Sequence, residues 1–142
     1  MTDEILLDTH IALWLESGSD RLRPETLGLI EACWRDGGTV LISAITVWEI
    51  AQLLYYGRIE LVRPLDDWIE RFADRPGVEI LPLDYRAALR SCRLDLLEHR
   101  DPADRLLIAT AIERACPLIT YDARIVRFGD AHGIRYGFTA RG

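Results

Sequence analysis

The chain has 142 residues, of which 49% are hydrophobic and 28% charged, so it is long enough to form one globular domain with a substantial core. Its 17 basic and 23 acidic residues give a net charge of −6, which argues against a protein that coats nucleic acid through bulk positive charge. Every basic residue is an arginine, so chemistry that needs a lysine, such as a P-loop phosphate site or a Schiff base, is excluded.

The sequence also limits the compartment and the thiol chemistry. No apolar run approaches the ~18–20 residues of a membrane span, and the acidic N-terminus is unlike a signal peptide, so we expect a cytoplasmic protein. No CxxC pair occurs, and we expect reduced thiols in or near the core at Cys33, Cys92 and Cys116. The histidines lack metal-ligand spacing and are interpreted as structural or surface residues: His10, His99 and His132.

The first apolar run covers residues 5–7 and is typical of a strand buried on both faces of a parallel sheet. Asp8 follows at once, and either Asp8 or Thr9 is placed to cap the helix that comes next. In open α/β sheets, ligands bind just beyond the carboxyl ends of the strands, which is where Asp8 lies. The simpler interpretation, that Asp8 only caps a helix, stays open.

Alternating helices and strands continue to the end of the chain. Predicted helices cover about 24–35, 44–55 (capped by Ser43), 64–74, 84–94 and 102–115, with a short helical turn at 125–128. Predicted strands cover 39–42, 78–81 (as an edge strand), 118–121 and, weakly, 134–136. Because the connections are short, we expect a single α/β domain over residues 1–142, built on a mostly parallel sheet.

Glu49 is an acidic residue within an otherwise apolar helix. It shares one polar line with Thr46 and Gln52, since the three residues are spaced three apart. This line either faces solvent or carries Glu49 inward towards other acids, and the sequence alone leaves both possibilities open.

Residues 98–111 place two carboxylates at the start of a helix that is apolar on nearly every side. Pro102 suits the first helical position, Asp101 the N-cap and Asp104 the first turn. A helix with so little polar surface is typical of the core. A purely structural role would also explain both acids. Capping and the interaction with the helix dipole each stabilise a helix by roughly 0.5–1 kcal/mol.

Carboxylates thus recur at strand ends and helix starts, at Asp8, Glu49, Asp101, Asp104 and Asp122. Parallel strands bring their carboxyl ends to one edge of the sheet, so several of these acids can converge. Packed carboxylates need a countercharge, and Mg²⁺ or Mn²⁺ is the natural partner for hard oxygen ligands. Such a site suits cleavage of a phosphodiester by water that the ion activates.

Four segments together resemble the motifs of PIN-domain ribonucleases, most closely the VapC-type toxins of bacterial toxin–antitoxin pairs. They are Leu-Leu-Asp-Thr-His at 6–10, Val-Trp-Glu-Ile-Ala at 47–51, Asp-Pro-Ala-Asp-Arg-Leu-Leu-Ile-Ala at 101–109 and Leu-Ile-Thr-Tyr-Asp at 118–122. The resemblance implies a three-layer α/β/α sandwich and an endoribonuclease that depends on Mg²⁺ or Mn²⁺. It also implies a homodimer and a cognate antitoxin that blocks the site.

The resemblance also assigns roles by position. Asp8, Glu49 and Asp104 match the three core acids of the family, and Asp122 matches a fourth, more variable acid. Asp101 matches a supporting acid of the subgroup with the Asp-Pro motif. Three further positions match small polar or histidine residues of the family: Thr9 and Thr120, which help to position water or an acid, and His10, which we interpret as structural.

Two departures remove positive charge from the expected RNA path. Relatives often carry a lysine after the Trp-Glu-Ile motif and an arginine before the fourth acid, where this chain has Gln52 and Tyr121. The remaining candidates for contacts with RNA phosphates are arginines, which are equally interpretable as surface or ion-pair residues: Arg58, Arg100, Arg105 and Arg124.

Two alternatives to a nuclease follow from the same residues. A PIN-like interaction module with weak or no catalysis would fit the missing basic residues, although it would not need all of the acids. An aspartyl-phosphate protein would fit Asp8 after the first strand, but such proteins normally use a lysine, and position 10 is His where a dehalogenase-like enzyme would have Asp.

Overall fold

The structure, a computed structural model, describes residues 4–95, 100–131 and 138–139. Within this part of the chain the strands are β1 (Glu4–Leu7), β2 (Thr39–Ser43), β3 (Val78–Leu81), β4 (Leu118–Ile119) and β5 (Phe138–Thr139). The helices are α1 (Thr9–Ser17), α2 (Pro24–Arg35), α3 (Ala44–Tyr55), α4 (Leu65–Ala73), α5 (Tyr85–Ser91), α6 (Pro102–Arg114) and α7 (Ala123–Ala131).

The strands form one sheet in the order β3-β2-β1-β4-β5, and each neighbouring pair is parallel. In the centre, Leu6 is in register with Leu41 on one side and with Leu118 on the other. All three of these leucines are completely buried, as expected for central strands covered on both faces. The predicted parallel sheet and the edge position of residues 78–81 are therefore confirmed.

Helices cover both faces of this sheet. Successive residues of β1 point to opposite faces, so Ile5 and Leu7 pack in one apolar cluster and Leu6 in the other. The first cluster also contains the inner residues of α1, α2 and α4, whereas the second contains those of α6 and α7. The α/β/α layering implied by the resemblance is therefore present.

Several element boundaries differ from the prediction, most of all at β4, α5 and α7, and α7 also ends later than predicted, at Ala131. Strand β4 ends at Ile119, two residues earlier than predicted, and the hydroxyl of the next residue, Thr120, bonds to Asp8 and to the backbone N–H of Asp122. Helix α7 begins earlier than predicted, since Asp122 accepts a hydrogen bond from the backbone N–H of Arg124 (2.8 Å). Helix α5 ends at Ser91. The strand predicted at 134–136 lies outside the described residues.

The thiols are free, as predicted, but they differ in exposure. Cys33 and Cys116 are buried, and burial raises the pKa of the Cys116 thiol to about 11. The expectation of a core position is wrong for Cys92, which is exposed. His99 and His132 lie outside the described residues. In the described part of the chain, no helix has the length and apolar character that crossing a membrane requires.

Candidate metal centre at the carboxyl edge of the sheet

The candidate site lies where the order of the strands reverses. Strand β1 is paired with β2 on one side and with β4 on the other, and the chain leaves β1 and β4 at the same edge. Ligand crevices of open parallel sheets form at such a reversal, outside the carboxyl ends of the strands. Asp8 directly follows β1, and Thr120 directly follows β4.

Asp8 is a buried carboxylate held by two hydrogen bonds. Its Oδ1 accepts from the backbone N–H of Thr9 at 2.8 Å, which caps α1 as predicted, and its Oδ2 accepts from Thr120 Oγ1 at 2.6 Å. Burial raises the pKa of the Asp8 carboxyl, against the lowering effect of these hydrogen bonds. The side chain is 9% exposed, so its charge is costly unless a cation is present.

Glu49 points inward from α3, which decides between the two possibilities left open by the sequence. Its Oε1 accepts a short hydrogen bond from the Thr9 hydroxyl, and the Thr46 hydroxyl lies 3.3 Å from the same Thr9 oxygen. Thr46 is fully buried, whereas Gln52 at the other end of the polar line is exposed. Burial raises the pKa of Glu49, and the negative charges of Asp8 and Asp101 raise it further.

The start of α6 places Asp101 and Asp104 close to Glu49. Asp101 caps the helix as predicted, since its Oδ1 accepts from the backbone N–H groups of Ala103 (2.9 Å) and Asp104 (3.4 Å). One carboxylate oxygen from each of Glu49, Asp101 and Asp104 lies within 4.8 Å of the others. Asp101 is thus both a cap and a member of the tightest acidic group in the described residues.

Asp122 reaches the site from the loop after β4. Its backbone N–H donates to Thr120 Oγ1 at 3.0 Å, so one threonine hydroxyl joins the backbone of Asp122 to the carboxylate of Asp8. The Asp122 carboxylate lies 3.6 Å from Nε of Arg124 and is partly buried. The hydrogen bonds of the Thr120 hydroxyl therefore hold the loop after β4 against the end of β1, beyond the last backbone pairing of the two strands.

All of the acids singled out by the sequence line one cavity of about 280 Å³, which we call the acidic cavity. Its acidic lining comprises Asp8, Glu49, Asp101, Asp104 and Asp122, and its other walls include His10, Trp14 and Tyr121. Among the described residues, no arginine lines it. A set of five carboxylates with no arginine among the described lining residues fits a hard divalent cation such as Mg²⁺ or Mn²⁺.

The four arginines proposed for contacts with RNA lie outside the acidic cavity. Arg105 donates from Nη1 to the backbone oxygen of Ser91 (2.8 Å), which ties α6 to α5. Arg124 lies beside Asp122, and Arg100 is exposed just before the Asp101 cap. Arg58 lines a separate groove that adjoins the acidic cavity.

Sequence reasoning missed the aromatic wall of the cavity. Tyr121 is fixed by its hydroxyl, which accepts from the backbone N–H of Arg23 (3.0 Å) and lies 2.6 Å from Thr26 Oγ1. The Trp14 ring lies 5.8 Å from the Tyr121 ring, and the Arg23 guanidinium lies over Tyr121 at 4.3 Å. These residues come from three separate segments, so no local pattern in the sequence indicated that they meet.

Comparison with known proteins gives matches over most of the chain. The PIN domain family matches residues 5–131. Ribonuclease VapC22 of Mycobacterium tuberculosis (strain ATCC 25618 / H37Rv) is 32% identical over 121 residues, which cover 85% of this chain and 88% of that protein.

Solved structures with a similar fold include complexes of toxins with antitoxins. VapBC2 from Rickettsia felis, bound to a DNA fragment from their promoter, has a TM-score of 0.64 at 18% identity and covers 88% of this chain and 92% of that chain. A toxin–antitoxin complex from Klebsiella pneumoniae has a TM-score of 0.58 at 24% identity, with 83% and 86% covered. FitAcB from Neisseria gonorrhoeae has a TM-score of 0.55 at 25% identity, with 96% of both chains covered.

Proposed function

The chain belongs to the PIN-domain family, in its VapC group, and from this membership and its acidic cavity we propose that it is a metal-dependent endoribonuclease. We also propose that it acts as the toxin of a toxin–antitoxin pair. The observation that carries the proposal is the convergence of Glu49, Asp101 and Asp104 within 4.8 Å, in the cavity that Asp8 and Asp122 also line. A relative named as a ribonuclease, 32% identical to this chain, supports RNA as the substrate.

Asp8, Glu49, Asp104 and Asp122 would hold Mg²⁺ or Mn²⁺, with Asp101 beside them. When bound, such an ion neutralises the carboxylates and supplies Lewis-acid activation for hydrolysis of a phosphodiester. Several neighbouring carboxylates cannot all stay ionised without a countercharge, and Asp8 and Glu49 already have raised pKa values in the protein alone. The donor set therefore fits the cation chemically.

The protein's own contribution is to hold these oxygens in place before substrate arrives. Thr120 fixes Oδ2 of Asp8, and Thr9 fixes the Glu49 carboxylate while its backbone N–H fixes the other oxygen of Asp8. Asp101 holds the first turn of α6 and so sets the position of Asp104. Hydrogen bonds that orient acidic ligands typically change metal affinity or activity by roughly 10–100-fold when removed.

A cognate antitoxin and a second copy of the chain are the proposed protein partners. The similar structures from Rickettsia felis and Klebsiella pneumoniae are toxin–antitoxin complexes, which supports an antitoxin as a partner. The homodimer follows from the same family membership. Sedimentation of the purified chain, alone and mixed with a candidate antitoxin, measures both.

The function is tested by incubating total RNA with purified, antitoxin-free protein in Mg²⁺, in Mn²⁺ and in EDTA, alongside an Asp104→Asn variant. The proposal predicts discrete fragments that require the metal and are absent with the variant. Equal cleavage by wild type and variant would contradict the assignment of the site. No cleavage with either metal would favour the non-catalytic interaction module, whereas the aspartyl-phosphate alternative is already excluded by the family.

A further inference from the structure

A second, larger groove opens directly beside the acidic cavity. Its volume is about 430 Å³, and it shares two lining residues, Glu49 and Asp101, with the acidic cavity. The shared acids place the two depressions side by side, within reach of one extended ligand. A volume of this size falls in the range of pockets that bind small organic groups.

The floor of this groove is a stripe along α3. Trp48, Gln52 and Tyr56 are spaced four residues apart and so lie on one side of the helix and its C-cap, over roughly 12 Å at 1.5 Å per residue. Trp48 is 49% exposed and Tyr56 is 68% exposed, although both are large aromatic residues. The neighbouring Tyr55 ring meets the Tyr56 ring edge-on, with centroids 5.0 Å apart, which braces it.

The chemistry of the groove changes from acidic to basic along its length. Glu49 and Asp101 lie at the end shared with the acidic cavity, and Arg58, just after α3, is the one basic side chain in the lining among the described residues. Exposed aromatic faces stack on unpaired bases, the amide of Gln52 can donate to and accept from a base edge, and a guanidinium binds phosphate. This combination is typical of surfaces that bind single-stranded nucleic acid.

We propose that the groove binds a single-stranded RNA segment next to the phosphodiester that is cleaved. A base stacks on Trp48 or Tyr56, Arg58 contacts a phosphate, and Gln52 contributes to base preference. The inference deepens the proposed nuclease function and rests on it, since that function places the scissile phosphate in the acidic cavity. It also explains how a chain of net charge −6 can hold RNA: stacking replaces much of the missing positive charge.

A protein partner is the competing occupant, because exposed tryptophan and tyrosine also occur at protein interfaces. The observations favour RNA for two reasons. The groove shares Glu49 and Asp101 with the cavity assigned to phosphodiester cleavage, and its one arginine among the described residues, Arg58, follows the end of α3, nine residues after Glu49. Duplex RNA is disfavoured, because its stacked bases offer no free face to an aromatic side chain.

The test measures binding of fluorescein-labelled RNA hexamers by anisotropy in the Asp104→Asn background, where cleavage is prevented. Trp48→Ala, Trp48→Phe, Tyr56→Ala and Arg58→Ala are compared with two matched controls. Tyr85→Ala removes an exposed tyrosine that lines neither cavity, and Arg35→Ala removes an exposed arginine at the opposite edge of the sheet. Thermal unfolding by circular dichroism checks that each variant is folded.

We expect Trp48→Ala to weaken binding of single-stranded hexamers roughly 10-fold, with most of the affinity restored in Trp48→Phe, because the ring face is what stacks. Arg58→Ala should lower the slope of log K against log salt by about 0.7, the effect of one lost phosphate contact on a single strand. Both controls should bind as the parent does, and a duplex of the same sequence should bind more weakly.

Unchanged RNA affinity in folded Trp48→Ala and Tyr56→Ala would overturn the inference. So would a loss of self-association or antitoxin binding in these variants without any loss of RNA binding, since the groove would then be a protein interface. The proposed nuclease function fails separately, if wild-type protein with Mg²⁺ or Mn²⁺ cleaves no RNA. In that case weaker RNA binding by Trp48→Ala would still support the groove as an RNA site.

Discussion

Two helices of this protein begin in the same way and yet present very different carboxylates. Asp8 caps α1 and Asp101 caps α6, and each accepts a hydrogen bond from a backbone N–H of the helix that it starts. Asp8 is 9% exposed, receives a second hydrogen bond from Thr120, and has a raised pKa. Asp101 is exposed, and both of its hydrogen bonds come from its own helix.

The difference shows that a cap position alone does not define a site. Asp8 is buried because it lies at the central strand of the sheet, between β2 and β4, where neighbouring elements surround it. Asp101 lies at the rim, where its second oxygen can approach Glu49 and Asp104. The same residue type in the same local role is therefore a buried central carboxylate in one place and an exposed rim carboxylate in the other.

The largest expected effect comes from neutralising the central acid. We predict that Asp8→Asn lowers metal-dependent RNA cleavage by more than about 100-fold, since loss of a ligand should exceed the 10–100-fold effect of groups that only orient one. Asn keeps the cap, and its amide N–H can donate to Thr120 Oγ1 in place of the hydrogen bond that Asp8 accepts from it, so we expect the fold to stay intact. Initial cleavage rates with saturating Mg²⁺ measure the effect, and a rate within about 3-fold of wild type would contradict it.

A smaller loss of cleavage activity is expected when the hydrogen bond from Thr120 to Asp8 is removed. Thr120→Val deletes the hydroxyl that donates to Asp8 and accepts from the backbone of Asp122, and we predict a fall in cleavage of roughly 10-fold or more. The hydrogen bond from Thr120 lowers the pKa of Asp8, so its loss should raise that pKa. The acidic limb of the plot of cleavage rate against pH should therefore move to higher pH.

Thr110→Val is the matched control for this change. The Thr110 hydroxyl donates at 2.7 Å to the backbone oxygen of Leu106 in its own helix, away from the acidic cavity. The control should keep the wild-type rate and pH profile. An equal loss in both variants would mean that Thr120 acts through general stability alone.

Substitutions of Asp101 should distinguish its role as a helix cap from its role in the acidic group. Asp101→Asn retains the cap, whereas Asp101→Ala loses it and should destabilise the fold by about 1 kcal/mol. If Asp101 also belongs to the acidic group, cleavage falls several-fold in both variants, and the free energy of unfolding falls only with Ala. Chemical denaturation and cleavage rates measure the two effects, and full activity in Asp101→Asn would leave Asp101 as a cap only.

The smallest effect is a change in stability with pH in metal-free protein. The folded-state pKa of Asp8 is raised above its ordinary value of 3.8, so the folded state loses stability relative to the unfolded state as pH rises from 3.8 to the raised value. We predict that Asp8→Asn raises the melting temperature in EDTA by about 2–4 °C near neutral pH. The gain should disappear as pH falls below 3.8, the ordinary pKa, where the carboxyl is protonated in the folded and unfolded states alike.

Asp101→Asn is the control for the stability measurement, because the side chain it replaces is exposed. Its melting temperature in EDTA should follow wild type across the same pH range. A rise as large as that of Asp8→Asn would show that general relief of negative charge, and not burial, causes the effect.

The sequence predicted those parts of the fold that depend on local pattern. Apolar runs predicted the central strands. Ser43 predicted the start of α3, which it caps, and Pro102 predicted the first residue of α6. Strand β4 was predicted too long, and Thr120, just after its end, bonds through its hydroxyl to Asp8, a contact between residues 112 positions apart. No local pattern contains that information.

The convergence of the acids could be predicted from the sequence, but the direction of one of them could not. Parallel strands bring their carboxyl ends together, so convergence of Asp8, Asp104 and Asp122 followed from topology and from the resemblance, and the acidic cavity does contain them. The direction of Glu49 was undecidable from spacing, since it depends on the Thr9 hydroxyl of another helix. The roles of these acids as ligands stay predictions until metal binding is measured.

The central claim is that the acids at the carboxyl edge of the sheet form one site for a divalent cation. Its most direct test is an anomalous difference map from crystals of the wild-type protein and the Asp104→Asn variant soaked in Mn²⁺. We predict a manganese peak among the carboxylates of Asp8, Glu49 and Asp104 in wild type, and its loss or strong weakening in the variant. A wild-type map with no peak in the acidic cavity, or an unchanged peak in the variant, would contradict the claim.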